Sequence, residues 1–222
     1  FVVKANAYGH GAAEVARAAV TAGVELLAVS SVDEGRELRE AGLNVGVMLL
    51  GPTVPDQAAE VVHWRLIAVC GDIATARAIG GANRGGEPLP VHLEIDTGMH
   101  RSGCDPAEAT TIARSIGQMH GVYLAGLCTH FSAADAKDLS PTRRQLAILL
   151  ATVEEMRLSH PMLIVHAANS AAISAVPTSH LDLVRVGLAA YGYDPSFNAL
   201  LQEVLTPVME LSTQVTALRR VR

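Results

Sequence analysis

Short apolar runs recur along the chain, and between them the apolar residues spread to the helical period or the segment opens on a helix-capping residue. This pattern predicts eight strands, over residues 1–4, 24–30, 45–50, 65–69, 90–96, 122–130, 161–166 and 181–186, each followed by a helical segment. Signals independent of hydrophobicity mark the helix ends. Ser31 and Glu34 have the spacing of a capping box, Asp105 precedes Pro106, Ser140 precedes Pro141, and Gly23 and Gly42 sit where helices should stop. Eight strand–helix units fit an α/β fold, a closed (β/α)8 TIM barrel over residues 1–205, better than an open doubly wound sheet, which uses fewer strands. Residues 207–222 alternate differently, so 206–222 reads as the start of a truncated second, mostly β domain. Gly80 to Gly86 reads as a loop, because its glycines lack phosphate-loop spacing. The chain opens on Phe1, and FVVK resembles the middle of a strand, so a piece of a longer protein is expected.

Composition narrows the class. Half of the residues are hydrophobic but only 4% are aromatic, which suits helices packed closely on buried strands. A net charge of -5 argues against a nucleic-acid partner or an anionic membrane surface and favours a small-molecule substrate. Cys70, Cys104 and Cys128 are odd in number without CxxC spacing, so neither a disulfide framework nor a metal site is predicted. No apolar run is long enough to cross a bilayer and no signal peptide opens the sequence, so a reducing cytoplasmic setting is expected.

The unusual polar residues fall at or just after the carboxyl ends of the predicted strands, where a barrel builds its active site. Lys4 ends the first strand, Arg101 follows the fifth, His130 ends the sixth, Asn169 and Ser170 follow the seventh, and Arg185 and Gly187 end the eighth. In VVKANAYGHG an apolar strand delivers a partly desolvated lysine to the barrel mouth, a setting suited to Schiff-base chemistry. A lone lysine can equally snorkel to the surface. Asn169 and Ser170 can be an ordinary helix cap, Arg185 can pair with a surface carboxylate, and His130 and His166 can be satisfied core histidines.

VVKANAYGHG resembles the cofactor-lysine segment of the alanine racemase family. The resemblance continues in order through EIDTGMHRSG (94–103), THFSAAD (129–135), HAANSAA (166–172) and VRVGLAAYGYDPS (184–196). It implies a pyridoxal 5′-phosphate enzyme that interconverts L- and D-alanine, supplying D-alanine for the bacterial cell wall. It also implies a homodimer in which a tyrosine from the partner's second domain serves as the second base. By the same resemblance Lys4 carries the cofactor as a Schiff base and acts as one base. Tyr8, Ser170 and the backbone amides of Gly187 and Leu188 hold the cofactor phosphate, and Asn169 also belongs to the cofactor-binding set. Arg185 faces the ring nitrogen, flanked by His130 and His166, and Arg101 lies near the cofactor's phenolic oxygen and the substrate carboxylate. A guanidinium cannot accept a proton from the ring, which implies a weaker electron sink with fewer side reactions.

Two positions depart from the family pattern. Glu94 stands where many members carry a lysine that becomes carbamylated; strand alternation puts it on one face with His92 and Asp96, as an anion that could orient Arg101. His100 stands where many members have a small or another polar residue, which keeps a serine or broad-specificity racemase open. A non-catalytic pyridoxal-phosphate-binding barrel also fits the chain length, whereas a barrel decarboxylase would place an acid at the position of Arg185.

Overall fold

The computed structural model describes residues 1–157, 161–197 and 201–221. Six strands, β1 (Leu26–Val29), β2 (Gly46–Leu49), β3 (Ile67–Cys70), β4 (Leu89–Glu94), β5 (Val122–Cys128) and β6 (Ile164–His166), form one parallel sheet in sequence order. They match six of the eight predicted strands with slightly shifted ends. In β1, β2 and β3 the last three residues are all buried, so each reads as a continuous apolar run, as a strand covered on both faces should.

The first and eighth predicted strands shrink to single bridges. Val2 pairs with Ala28 of β1, and Leu183 pairs with His166 of β6. The Val2 N–H then donates to Val186 O at 2.8 Å, so hydrogen bonding runs around all eight stations and closes the ring. The first strand is short because Lys4 already begins a turn, and the eighth because residues 187–191 turn away into a 3-10 helix.

Helices Ala12–Thr21, Val32–Glu40, Ile73–Ala82, Pro106–Gly117 and Ser140–Arg157 pack against the outer face of the sheet. Their caps follow the sequence signals in part. The Asp105 side chain accepts Ala107 N–H, but Ser140 is itself capped by Asp138. Gly80 and Gly81 lie inside a helix and not in the expected loop. A Cβ at Gly80 would meet His120 O at 2.6 Å, so glycine there permits close helix–loop packing.

The barrel interior has two halves. Val2, Ala28, Met48, Val69 and Cys128 form a small apolar cluster. From β4 onward the buried set turns polar, with His92, Glu94, His166 and Arg185. Residues 207–221 carry no helix or strand, and Leu211, Val215, Leu218 and Val221 are exposed. Arg222, the last residue of the expected second domain, lies outside the described residues.

Candidate active site

Lys4 leads into four consecutive left-handed residues, Ala5, Asn6, Ala7 and Tyr8, with φ between 52° and 54°. None is glycine, and for L-residues this conformation costs roughly 1–2 kcal/mol each. Several contacts hold it. Ala7 N–H donates to Val3 O, Asn6 Oδ1 accepts Ala12 N–H at 2.8 Å, and Gly9 and Gly11 supply the positive φ needed to leave the turn. Glu34 adds the link to β1: one carboxylate oxygen accepts Ala5 N–H at 2.7 Å, and the other accepts Ser30 N–H and the Ser30 hydroxyl. The capping box is therefore half formed. Ser31 accepts Glu34 N–H, but the Glu34 side chain reaches toward the lysine turn and not back to Ser31.

Two cavities open at the carboxyl ends of the strands, sharing Lys4, Leu50, His130 and Arg185 as walls. The first, about 320 Å³, is also lined by Tyr8, Asn169, Ser170, Gly187 and Leu188. The second, about 310 Å³, reaches Glu94 and Arg101. Nine of the ten residues singled out from the sequence thus meet around one mouth. The tenth, His166, is fully buried behind Arg185 and lines neither cavity.

Arg185 organises the polar interior. Its Nη1 donates to His166 Nδ1 at 2.8 Å and to His166 O, and its Nη2 donates to the carbonyls of Thr129 and Ala167 and to His130 Nδ1 at 3.3 Å. Its Nε–H makes no hydrogen bond among the described residues. A guanidinium only donates, so both imidazoles must accept through Nδ1. Neutral His166 then carries its proton on Nε2 and donates it to His92 Nδ1 at 2.9 Å. Gly126 makes this pair possible, because a Cβ there would lie 2.5 Å from the His92 ring.

Burial, reinforced by the Arg185 charge, holds all three histidines neutral: His92 falls to about 4, His130 to about 3, and His166 well below its ordinary value. For imidazoles with depressed values the stabilisation is complete above the unfolded value near 6.5 and is lost as pH falls toward the folded values. Between about pH 6 and pH 5 each contributes a loss approaching, at most, about 1.4 kcal/mol per pH unit. Urea unfolding at pH 7 and pH 5 should show a steep loss of stability, with more than one proton taken up on unfolding. A slope below one proton would contradict the neutral triad.

Beyond β4 the chain makes a tight loop. Asp96 Oδ1 accepts the N–H groups of Gly98, Met99 and His100, each at 3.0 Å, and Oδ2 meets His100 Nδ1 at 3.0 Å. Burial works to raise the Asp96 pKa, but the hydrogen bonds from His100 and Gly98 outweigh it and the net shift is downward. His100 sits at φ 55°, a conformation that histidine tolerates better than most residues. The loop delivers Arg101, exposed, to the second cavity. Glu94 is 8% exposed and lines the same cavity, but no Glu94–Arg101 ion pair is formed among the described residues. Asp96, and not Glu94, is the carboxylate that shapes this loop.

Asn169 also keeps the plain role open to it from sequence, accepting Ala172 N–H as a helix cap while lining the first cavity. Sequence reasoning missed the Glu34 link and the buried Gln145, described below. A glutamate beside the lysine turn and a glutamine in a helix carry no motif of their own.

Residues 1–195 match the family description "Alanine racemase, N-terminal domain". The chain is 41% identical over 228 residues to alanine racemase of Treponema pallidum subsp. pallidum, covering 99% of this chain and 60% of that protein. It is 38% identical over 226 residues to alanine racemase of Desulforamulus reducens, with the same coverage. Among solved structures, alanine racemase of Clostridium difficile 630 in complex with cycloserine superposes with a TM-score of 0.86 at 31% identity, over 92% of this chain and 57% of that one. The Bacillus anthracis alanine racemase with bound L-Ala-P gives 0.81 at 30% identity, over 92% and 53%. The chain therefore spans about 60% of the length of the curated relatives it matches. On the family match over residues 1–195 and the identities to these relatives, the chain belongs to the alanine racemase family and carries its N-terminal domain.

Proposed function

We propose that the protein to which this chain belongs interconverts L- and D-alanine with pyridoxal 5′-phosphate as cofactor, Lys4 carrying the cofactor. The observation that carries this reading is the convergence on one cavity of the Lys4 turn, Arg185 with an Nε–H that makes no hydrogen bond among the described residues, and the Ser170 hydroxyl, Leu188 N–H and Tyr8 phenol as donors.

The residues present fit such a cofactor. Ser170 Oγ accepts the N–H groups of Gly187 and Ala189 at 3.0 and 3.2 Å, which leaves its own hydroxyl hydrogen to donate to a phosphate. The Leu188 N–H makes no protein hydrogen bond among the described residues, and burial raises the Tyr8 pKa, keeping its phenol proton available. Gly187 is needed, because a Cβ there would lie 2.5 Å from Tyr8 Oη. Backbone amides and hydroxyls suit a phosphate at this end of a barrel without further cationic residues. A ring nitrogen kept unprotonated calls for a donor that does not give up its proton, which describes Arg185.

When bound, the cofactor supplies an electron sink that makes the α-proton of an amino acid removable. Lys4 Nζ moves that proton on one face. Arg185, fixed by five acceptors, holds its charge in place, and burial with the Arg185 charge keeps His130 and His166 neutral, so neither offers an imidazolium proton to the site. Arg101, on the second cavity, receives the substrate carboxylate region. The opposite face needs a second proton-transfer group. We assign it to a second copy of the protein in a homodimer, through the domain that begins within 206–222. The exposed apolar residues Leu211, Val215 and Leu218 support that assignment as a segment awaiting cover. No helix among the described residues is long and apolar enough to cross a membrane.

Incubating the full-length protein and cofactor with L-alanine in deuterated water tests the reading. D-alanine carrying α-deuterium is the expected product. Absence of both D-alanine and α-exchange would contradict it.

A further inference from the structure

Gln145 lies in the helix Ser140–Arg157, is 3% exposed, and belongs to no strand end or motif. Its amide satisfies all of its hydrogen-bonding groups. Oε1 accepts Ser132 N–H at 3.0 Å and the Ser132 hydroxyl at 3.1 Å, while Nε2 donates to His130 O at 3.0 Å and to Thr97 Oγ1 at 3.3 Å. The orientation is forced, since a backbone N–H can only donate and a carbonyl can only accept. The chain continues in one direction: the Thr129 hydroxyl donates to Ile95 O at 2.8 Å, so the Thr97 hydroxyl must donate to Thr129 Oγ1 at 2.7 Å. Thr97 Oγ1 is then left to accept from Gln145.

Gln145 therefore links two loops that are otherwise joined side chain to side chain by the Thr97–Thr129 hydroxyl pair, and it alone carries the link on to His130 O and Ser132. The first, after β4, begins at Thr97 and carries Arg101. The second, after β5, carries His130 and Ser132. Neither loop is joined to the other by a strand ladder beyond Cys128. We propose that Gln145 is a positioning residue that sets the placement of Arg101 relative to His130, and with it the geometry of the second cavity. This rests on the reading that Arg101 acts in the site.

The test uses the full-length, cofactor-loaded protein and the variant Gln145→Met, which keeps the length of the side chain but removes its hydrogen bonds. Hydrogen exchange should accelerate together in residues 97–103 and 130–135, with the rest of the barrel unchanged. Acceleration confined to 130–135 would overturn the coupling. In kinetics, Gln145→Met should lower kcat/KM by about 10- to 100-fold in the parent but by less than about 3-fold in an Arg101→Ala background, because groups acting as a unit are not additive. Equal losses in both backgrounds would overturn the proposal for Gln145. Parental activity of Arg101→Ala would instead remove Arg101 from the site, and the proposal with it. If Gln145→Met does not fold, Gln145→Glu repeats both measurements, since it keeps the shape and the acceptors but loses both donors.

Discussion

Replacing Lys4 with Ala should lower alanine racemisation by the full-length protein at least about 10³-fold, because on the proposed assignment it removes both the group that carries the cofactor and a positioned base, each a large contributor to rate. Folding should not suffer. Lys4 stands at a cavity wall shared with Arg185, and its positive charge helps to depress the neighbouring His130, so its loss relieves like-charge crowding. The left-handed turn is held by backbone and by Asn6 and Glu34, none of which depends on the lysine side chain. Thermal unfolding should thus show Lys4→Ala as stable as the parent or more so, the pattern expected where a site sacrifices stability for function. Activity within about 10-fold of the parent would take Lys4 out of the chemistry.

Arg185→Glu should have the second large effect, and on two quantities. Removing the guanidinium strands the carbonyls of Thr129 and Ala167, leaves the His166 carbonyl only its bond from Thr129 N–H, and puts a carboxylate among them; each orphaned acceptor costs about 1–3 kcal/mol. Part of the protein will fail to fold, so total activity is a poor readout. The ratio of keto-acid side product to racemised alanine does not depend on the folded fraction. It should rise at least about 10-fold, because a carboxylate can keep the ring nitrogen protonated and strengthen the electron sink. Arg185→Lys, which keeps the charge but cannot reach five acceptors, should lose rate without raising that ratio. An unchanged ratio in Arg185→Glu would separate Arg185 from reaction control.

The barrel was legible in sequence because parallel strands buried on both faces read as plain apolar runs, and β1 to β6 are such runs. The first and last stations were overdrawn for the same reason. FVVK and LDLVRV look like strands, but the chain turns at Lys4 and again after Val186, so that a single bridge serves at each. The left-handed turn was hidden, since Ala5 to Tyr8 contain no glycine and the conformation is imposed by tertiary hydrogen bonds. The candidate residues at strand ends were picked by position, and the cavities collect them. His166 was readable as a partner of Arg185 but not as a residue removed from the cavity wall. Glu34, Gln145 and the His92–His166 contact across Gly126 were not legible, because each depends on which helix or strand packs beside which loop. Glu94 shows the limit of strand alternation: the face was assigned correctly, but the reach to Arg101 was not.

The central claim is that Lys4 holds the cofactor. Borohydride reduction of the full-length protein loaded with pyridoxal 5′-phosphate, followed by proteolysis and mass mapping, tests it directly. Within this chain the lysines are Lys4 and Lys137, and Lys137 lies on the loop before the helix Ser140–Arg157, its ammonium 5.9 Å from the Phe197 ring centroid. A single stoichiometric label on the peptide containing Lys4 is the expected result. A label on Lys137, or on a lysine outside this chain with Lys4 unmodified, would contradict it.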